Sequence, residues 1–372
     1  MRVGIDTQST FGQRMGMKHF VLDMRTATAR FPGIGRYVSG LTAAVPGQLA
    51  DDEHLTFLVN AAGVAPSGDT HVSEVYVSGS PFSLSQHWVI PNLLRRMGAA
   101  VYHSPYLLMP LAVRAPTVLT VYDALPLQLP GHSTLRARVL FRLAMSLALQ
   151  RADAVIAVSG AARADIAACF PAAAGRLRVQ APGVGAEFRP PDSASVEHVR
   201  RRYGLSDVFA LYVGSDRPHK NLAALREAWS GMRAGAVLAL AGVAGDATPD
   251  VLPLGRVPDE DLPALYGAAT VAVQPSLGEG FGFPVLEAMA CGTPVACSDI
   301  PALRELGGDA VAYFDPHRPD AIASALRDLM SNPARRCDMR EAGLARAAAY
   351  TWTAAAAGTL AIYRRLYEES RE

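Results

Sequence analysis

The chain is poor in cysteine, and its four (Cys169, Cys291, Cys297 and Cys337) form no CxxC pair and no paired Cys and His spacing. That excludes a zinc site legible in sequence and a disulfide framework, and it suits a reducing compartment. Long apolar runs are also missing. No stretch reaches the roughly 18 apolar residues of a membrane span, and the amino terminus, MRVGIDTQST, lacks the apolar core of a signal peptide. The expectation is a cytoplasmic chain, with peripheral contact at the inner face of the membrane left open. An excess of one charge is lacking as well. Lys plus Arg number 35 and Asp plus Glu 34, so no global field draws the chain to nucleic acid, and any cationic site must be local.

What is present is alternation. Short apolar runs such as HFVLDM, LTFLVN, AAVYHS, TVLTVYD and DAVIAVS, then FALYVGS, AVLALAG, ATVAVQPS and TPVACSD, are separated by longer helical patterns. Strands that alternate with helices predict parallel sheets built from βαβ units. The 372 residues suffice for two cores, and Gly and Pro crowd together in QAPGVGAEFRPPDSAS, where the pattern lapses. The reading is α/β, with Rossmann-like domains over 1–190 and 191–350 and a terminal helical segment over 351–372. VGIDTQST and VLDMRTAT resemble two copies of one strand and turn, and only one can feed the glycine stretch FPGIGRYVSG into its helix.

The stretch GEGFGFPVLEAMACGTPV sets Glu279 and Glu287 eight positions apart around a glycine-rich turn. Gly278, Gly280 and Gly282 permit sharp bends and close approach to a ligand, and Pro284 suits a first helical turn. A helix opening there offers free N–H groups to a phosphate. Glu287 is placed to accept hydrogen bonds from a ribose, and Glu279 from a second polyhydroxylated group across the phosphates. The plainer alternative is a connecting turn and a helix-stabilising glutamate. Asp259, Glu260 and Asp261 match DxD by letter, yet they precede LPALYGAA and read as a helix cap with an acidic first turn, so no metal is expected. Ser159 in VIAVSGAARADI reads as an N-cap.

Together with LYVGSDRPHKNL, LGRVPDEDLPALYGAATVAVQPS and GIGRYVSGL, this stretch resembles the retaining family 4 glycosyltransferases, in particular bacterial members that build surface polysaccharides. The similarity covers nearly the whole chain. It implies the GT-B fold, in which two Rossmann-like domains with parallel sheets face each other across a cleft. It also implies a nucleotide-sugar donor on the carboxy-terminal domain and an acceptor on the amino-terminal one. By matching motifs, Glu279 contacts the donor sugar and Glu287 the ribose, with Gly214, Gly280, Phe281 and Gly282 at the donor. Lys220 holds the diphosphate. Ser215 stands where many members have an arginine, and nearby Arg217 is the expected substitute. On the acceptor side, Gly33 and Gly35 form a loop at the reaction centre, and Asp123 follows Tyr122, which replaces a histidine frequent in relatives. Apart from the resemblance, His103 in VYHSPY ends a strand and is a candidate polar contact for the acceptor.

The resemblance implies hexosyl transfer, with GDP-mannose as the favoured donor and a glycan or polyprenyl-linked acceptor, no metal and no cofactor. A nucleotide-sugar epimerase and a noncatalytic sugar-nucleotide-binding scaffold remain alternatives. A nicotinamide-dependent oxidoreductase ranks last, because neither half places GxGxxG after its first strand. LRARVLFRLAMSLALQRAD carries Arg136, Arg138, Arg142 and Arg151 among apolar residues, and NLLRRMG adds Arg95 and Arg96. This reads either as a basic helix for anionic lipid or as an ordinary core helix. The final AAGTLAIYRRLYEESRE reads as a helix that, by the resemblance, crosses back to the first domain.

Overall fold

The computed structural model describes residues 17–26, 32–60, 70–78, 80–232 and 235–372. The chain forms two compact units, one of Met1–Gly183 with Thr351–Glu372 and the other of Val184–Tyr350.

The first unit carries seven strands: β1 (Lys18–Asp23), β2 (Glu53–Val59), β3 (Val72–Tyr76), β4 (Val101–Ser104), β5 (Thr117–Val121), β6 (Ala154–Ala157) and β7 (Leu177–Val179). They lie in the order β3-β2-β1-β4-β5-β6-β7. Neighbours pair in parallel, as where Phe20 stands opposite Leu55. The second unit carries β8 (Phe209–Val213), β9 (Val237–Ala241), β10 (Val251–Gly255), β11 (Val271–Gln274), β12 (Val295–Ser298) and β13 (Ala312–Phe314). Their order is β10-β9-β8-β11-β12-β13. The central strands β4, β5, β6, β11 and β12 are buried along their whole length, because parallel sheets are covered on both faces.

Of the two similar amino-terminal segments, the second supplies β1, an interior strand of its sheet, while VGIDTQST lies outside the described residues. The helix Pro32–Ala44 begins one residue before Gly33, so Gly33 and Gly35 sit in its first turns rather than in a loop.

The terminal helix Trp352–Glu369 starts at an N-cap, where Thr351 accepts a bond from Ala354 N–H, and it packs within the first unit. A side chain at Gly40 would overlap the Trp352 indole, so glycine there lets the helix seat. The Arg364 guanidinium then meets the fully buried Glu53 carboxylate at 2.7 Å. A buried charge paired in this way fixes where the helix docks, since either group alone is costly to desolvate. No described helix is long and apolar enough to cross a membrane.

Candidate functional site

In the second sheet, β8 and β11 are neighbours although β9 and β10 intervene in sequence. Connections run one way from β8 and the opposite way from β11. Loops leaving the carboxyl ends of two such strands diverge and open a crevice, where open α/β sheets take their ligands. The loops at this place are residues 214–221 and 275–282, and they hold most of the residues expected at the donor.

Backbone and asparagine bonds tie the two loops together. Leu277 N–H donates to His219 C=O at 2.8 Å. The Asn221 amide donates to the carbonyls of Pro275 (3.1 Å) and Pro316 (2.7 Å). Asn221 has φ 59°, the one positive value outside glycine among the described residues. Asparagine tolerates that left-handed geometry better than most residues, and here it turns the chain so that the preceding Lys220 faces the glycine loop.

Lys220 Nζ stands 2.6 Å from Glu279 Oε1. The same oxygen accepts from Ser276 Oγ at 2.7 Å and from Gln274 Nε2 at 2.9 Å. All three bonds fall on Oε1, and Oε2 has no described partner. The pair is largely withdrawn from solvent, with the Lys220 side chain 15% and the Glu279 side chain 11% exposed. Burial alone pushes the Glu279 carboxyl up. The Lys220 charge and the bonds from Lys220, Ser276 and Gln274 outweigh that and hold it below the usual carboxylate range. The site is therefore an ionised carboxylate with one oxygen anchored and the other open, beside a cation.

Of the three loop glycines, only Gly282 has a positive φ, at 113°, and a Cβ there would lie 2.6 Å from Leu303 Cδ2. That residue must be glycine if the helix Phe283–Ala290 is to start where it does. Gly280 is buried in the bend of the loop. Gly214 directly follows β8, where a Cβ would come 2.5 Å from the Tyr212 hydroxyl, itself bonded to Ser215 C=O at 2.9 Å.

Other expected residues are placed differently. The Phe281 ring is buried against Phe283 (centroids 5.2 Å apart) and Tyr350 (5.9 Å), so its side chain packs the loop and leaves the donor to the backbone. Glu287 lies in the second turn of its helix rather than the first, is 2% exposed, and accepts from the Tyr266 hydroxyl at 3.0 Å. Arg217 is exposed and forms no ion pair among the described residues. Asp259 is not the expected cap: Pro258 precedes a short 3-10 turn over Asp259–Asp261, and no side chain caps it. Asp261 instead accepts from Tyr203 at 2.5 Å and pairs with Arg202 at 2.9 Å. Among the described residues no group of three His, Cys, Asp or Glu gathers as a metal site.

In the first unit, Tyr122 and Asp123 follow β5. The Tyr122 hydroxyl is buried and has no hydrogen-bond partner, while its ring meets Tyr37 edge to face at 5.5 Å. Burial, with Tyr37 adding to it, pushes this phenol well above its ordinary value, so it stays protonated and able to donate. Asp123 accepts from Leu125 N–H at 3.0 Å. His103 does not fit the acceptor role expected of it. It is 0% exposed, with Nδ1 bonded to the Tyr363 hydroxyl (2.5 Å) and Nε2 to Thr120 Oγ1 (2.8 Å). Both ring nitrogens are occupied inside the core, leaving none for a substrate. Gly33 is exposed, and a Cβ on it or on Gly35 would meet nothing described within 4 Å. Ser159 caps its helix by accepting from Ala162 N–H at 2.9 Å.

Asn221, Gln274 and Ser276 escaped the sequence reading. A signal for the last two was there: a glutamine closing an otherwise apolar strand, followed two residues on by a serine, just before the glycine loop.

Residues 38–188 match the family described as Glycosyltransferase Family 4, and residues 197–346 match Glycosyl transferases group 1. O-antigen chain mannosyltransferase B of Escherichia coli is 32% identical over 286 residues, 72% of this chain and 74% of that protein. The serotype-specific mannosyltransferase WbdA of Escherichia coli is 29% identical over 281 residues, 69% of this chain but 34% of that longer protein. Sucrose-phosphate synthase from Thermosynechococcus elongatus superposes with a TM-score of 0.75 at 20% identity, over 95% of this chain and 100% of that one. With two parallel α/β units of this topology and a relative this similar over most of both lengths, the chain belongs to the family 4 glycosyltransferases of the GT-B fold.

Proposed function

We propose that the chain transfers a mannosyl group from GDP-mannose to a glycan or polyprenyl-linked acceptor, with retention of configuration, in the synthesis of a surface polysaccharide. The observation that carries the donor site is the Lys220–Glu279 contact at the ends of β8 and β11, with Glu279 Oε2 left open. The choice of mannose rests on two relatives named as mannosyltransferases.

As the glycosidic bond to phosphate breaks, negative charge grows on the diphosphate and must be met by cations and oriented N–H groups. Lys220 supplies the first and the amino end of the Phe283–Ala290 helix the second, with Arg217 close in sequence and unpaired. No metal is assigned to the reaction. Glu279, steadied by Gln274 and Ser276, accepts from the sugar hydroxyls through Oε2, and Glu287 takes the ribose. Tyr122, Asp123, Gly33 and Gly35 are assigned to the acceptor and reaction centre. We favour a same-face displacement. The bond from the anomeric carbon to the phosphate oxygen breaks, the bond to the acceptor oxygen forms, and the acceptor's proton passes to the departing phosphate oxygen. The work is placed in the cytoplasm, at the inner face of the membrane where a lipid-linked acceptor is presented.

Thermal melting of the full chain with GDP, UDP and ADP sugars, in the presence of a chelator, tests the donor. A ligand bound only by the folded state stabilises it, by about 2.7 kcal/mol at a hundredfold excess over Kd. The expected result is a raised melting temperature with GDP-mannose. A shift with UDP sugars alone reassigns the donor, and no shift with any removes the proposed site.

A further inference from the structure

The helix Leu135–Arg151 is apolar on two sides. Met145, Ala148 and Leu149 are buried and hold it to the first unit. On the other side Leu135, Val139, Leu140, Leu143 and Leu147 are 49–68% exposed. Four of these recur every fourth residue, a spacing that drifts by only ~40° per step around a helix, so they form one stripe. Eleven large apolar residues are exposed among those described, and five of them are on this one helix. A helix apolar all round ordinarily has both faces covered, and a concentrated exposed patch marks a surface that something occupies. The core alternative left open by the sequence is thereby rejected for this stripe.

Charge identifies the occupant. The helix contains no Asp or Glu, and Arg136 and Arg142 are exposed beside the stripe. Arg151 is excluded from this set because its guanidinium is bound to the Val113 and Ala115 carbonyls. A second copy of the chain fits poorly, since a two-fold contact through the helix would bring arginines together with no acid on it to pair them. Leucines flanked by arginines match the boundary between acyl chains and anionic headgroups.

We propose that the outer face of the Leu135–Arg151 helix docks on an anionic phospholipid bilayer, lying in its surface. This deepens the proposed function by naming the surface that meets the membrane, and it rests on that reading for why a membrane is near. Leu135, Val139, Leu143 and Leu147 enter the acyl boundary, while Arg136 and Arg142 stay at the headgroups.

The test is co-sedimentation of the full chain with phosphatidylcholine vesicles, with and without phosphatidylglycerol. Binding is expected only with phosphatidylglycerol, weakening as salt is raised. Leu143→Gln with Leu147→Gln should lower it by about tenfold, as should Arg136→Gln with Arg142→Gln. These side chains are exposed, so melting temperature should hold, and either pair alone keeps the test decisive if the other misfolds. No binding of the unaltered chain overturns the proposal, and so does binding that survives both pairs. A dimer seen by light scattering without vesicles and broken by the leucine pair assigns the face to a second copy instead. Donor stabilisation is measured without vesicles, so the two proposals fail separately.

Discussion

The two sheets reverse their connections at equivalent places, between β1 and β4 in the first unit and between β8 and β11 in the second, and the polar groups there are used in opposite ways. At β1 and β4 the charged groups are closed on one another, although the buried Thr26 hydroxyl just beyond β1 has no hydrogen-bond partner. Arg25 pairs with Asp23 at 2.6 Å, the Tyr102 hydroxyl donates to the same carboxylate at 2.8 Å, and His103 uses both nitrogens. Beyond β8 and β11 the Glu279 carboxylate is anchored through one oxygen and open at the other. Burial and charge are common to both places. What separates them is whether the carboxylate keeps an oxygen for a ligand: both oxygens of Asp23 are bonded, whereas Glu279 uses only one.

The comparison breaks most visibly at Glu279. Glu279→Gln preserves shape and removes the charge, and it should lower kcat by about 10² while the fold persists, the scale of losing one oriented transition-state contact. Lys220→Ala should instead raise the donor KM and also destabilise, because it leaves a largely buried carboxylate without its cation. Steady-state kinetics and urea denaturation of both variants separate the roles. If Lys220→Ala changes stability but not the donor KM, the pair is structural, and the second unit resembles the first.

A smaller effect follows from proton binding. Burial lowers the His103 pKa to about 3 from 6.5, with Asp23 only partly opposing it. Between those values the unfolded chain is protonated at this ring and the folded chain is not. Stability must therefore fall with pH, by about 1.4 kcal/mol per unit once below 6.5. Glu279 is shifted down, so its contribution is intact above the ordinary carboxylate value of 4.5 and is lost only as pH falls through its lower folded value. From pH 7 to pH 5 the loss belongs to buried histidines, His103 and also His19, whose pKa burial likewise lowers, and not to the glutamate. His103→Gln should reduce the stability difference between those two pH values by about 2 kcal/mol. An unchanged difference in urea denaturation would mean that His103 charges freely in the folded chain.

How much of this was legible in the sequence depended on position in the sheet. The runs read as strands became β1, β2, β4, β5 and β6 in one unit and β8, β9, β11 and β12 in the other. The four strands not read were β3, β7, β10 and β13, and each is a sheet edge. Interior strands of a parallel sheet are covered on both faces and carry unbroken apolar runs, whereas edges are partly wet. VSEVY and VLPLG each bury a single residue. The same rule explains the site. Glu279 stood out because a glycine-rich turn interrupts an apolar pattern, whereas Lys220 was reached only through the family resemblance. His103 misled, because a polar residue ending a strand looks the same in sequence whether its partners are a substrate or Tyr363, which lies far along the chain.

The finest distinction concerns glycines, which both units place at helix starts. Gly282 is held at φ 113° against Leu303, so Gly282→Ala meets a backbone strain that alanine relieves poorly and should cost about 1–2 kcal/mol. Gly33 lies within the helix Pro32–Ala44, and a Cβ there meets nothing described within 4 Å. Alanine is the better helix former, so Gly33→Ala should leave stability unchanged or raise it by up to about 0.5 kcal/mol. Its activity should nevertheless fall severalfold if Gly33 lies at the reaction centre as proposed, because a methyl group there would intrude on the acceptor. Melting temperature and kcat measured on the same preparation decide the matter: a stabilised enzyme of undiminished turnover would remove Gly33 from the reaction centre and leave its open side without a function.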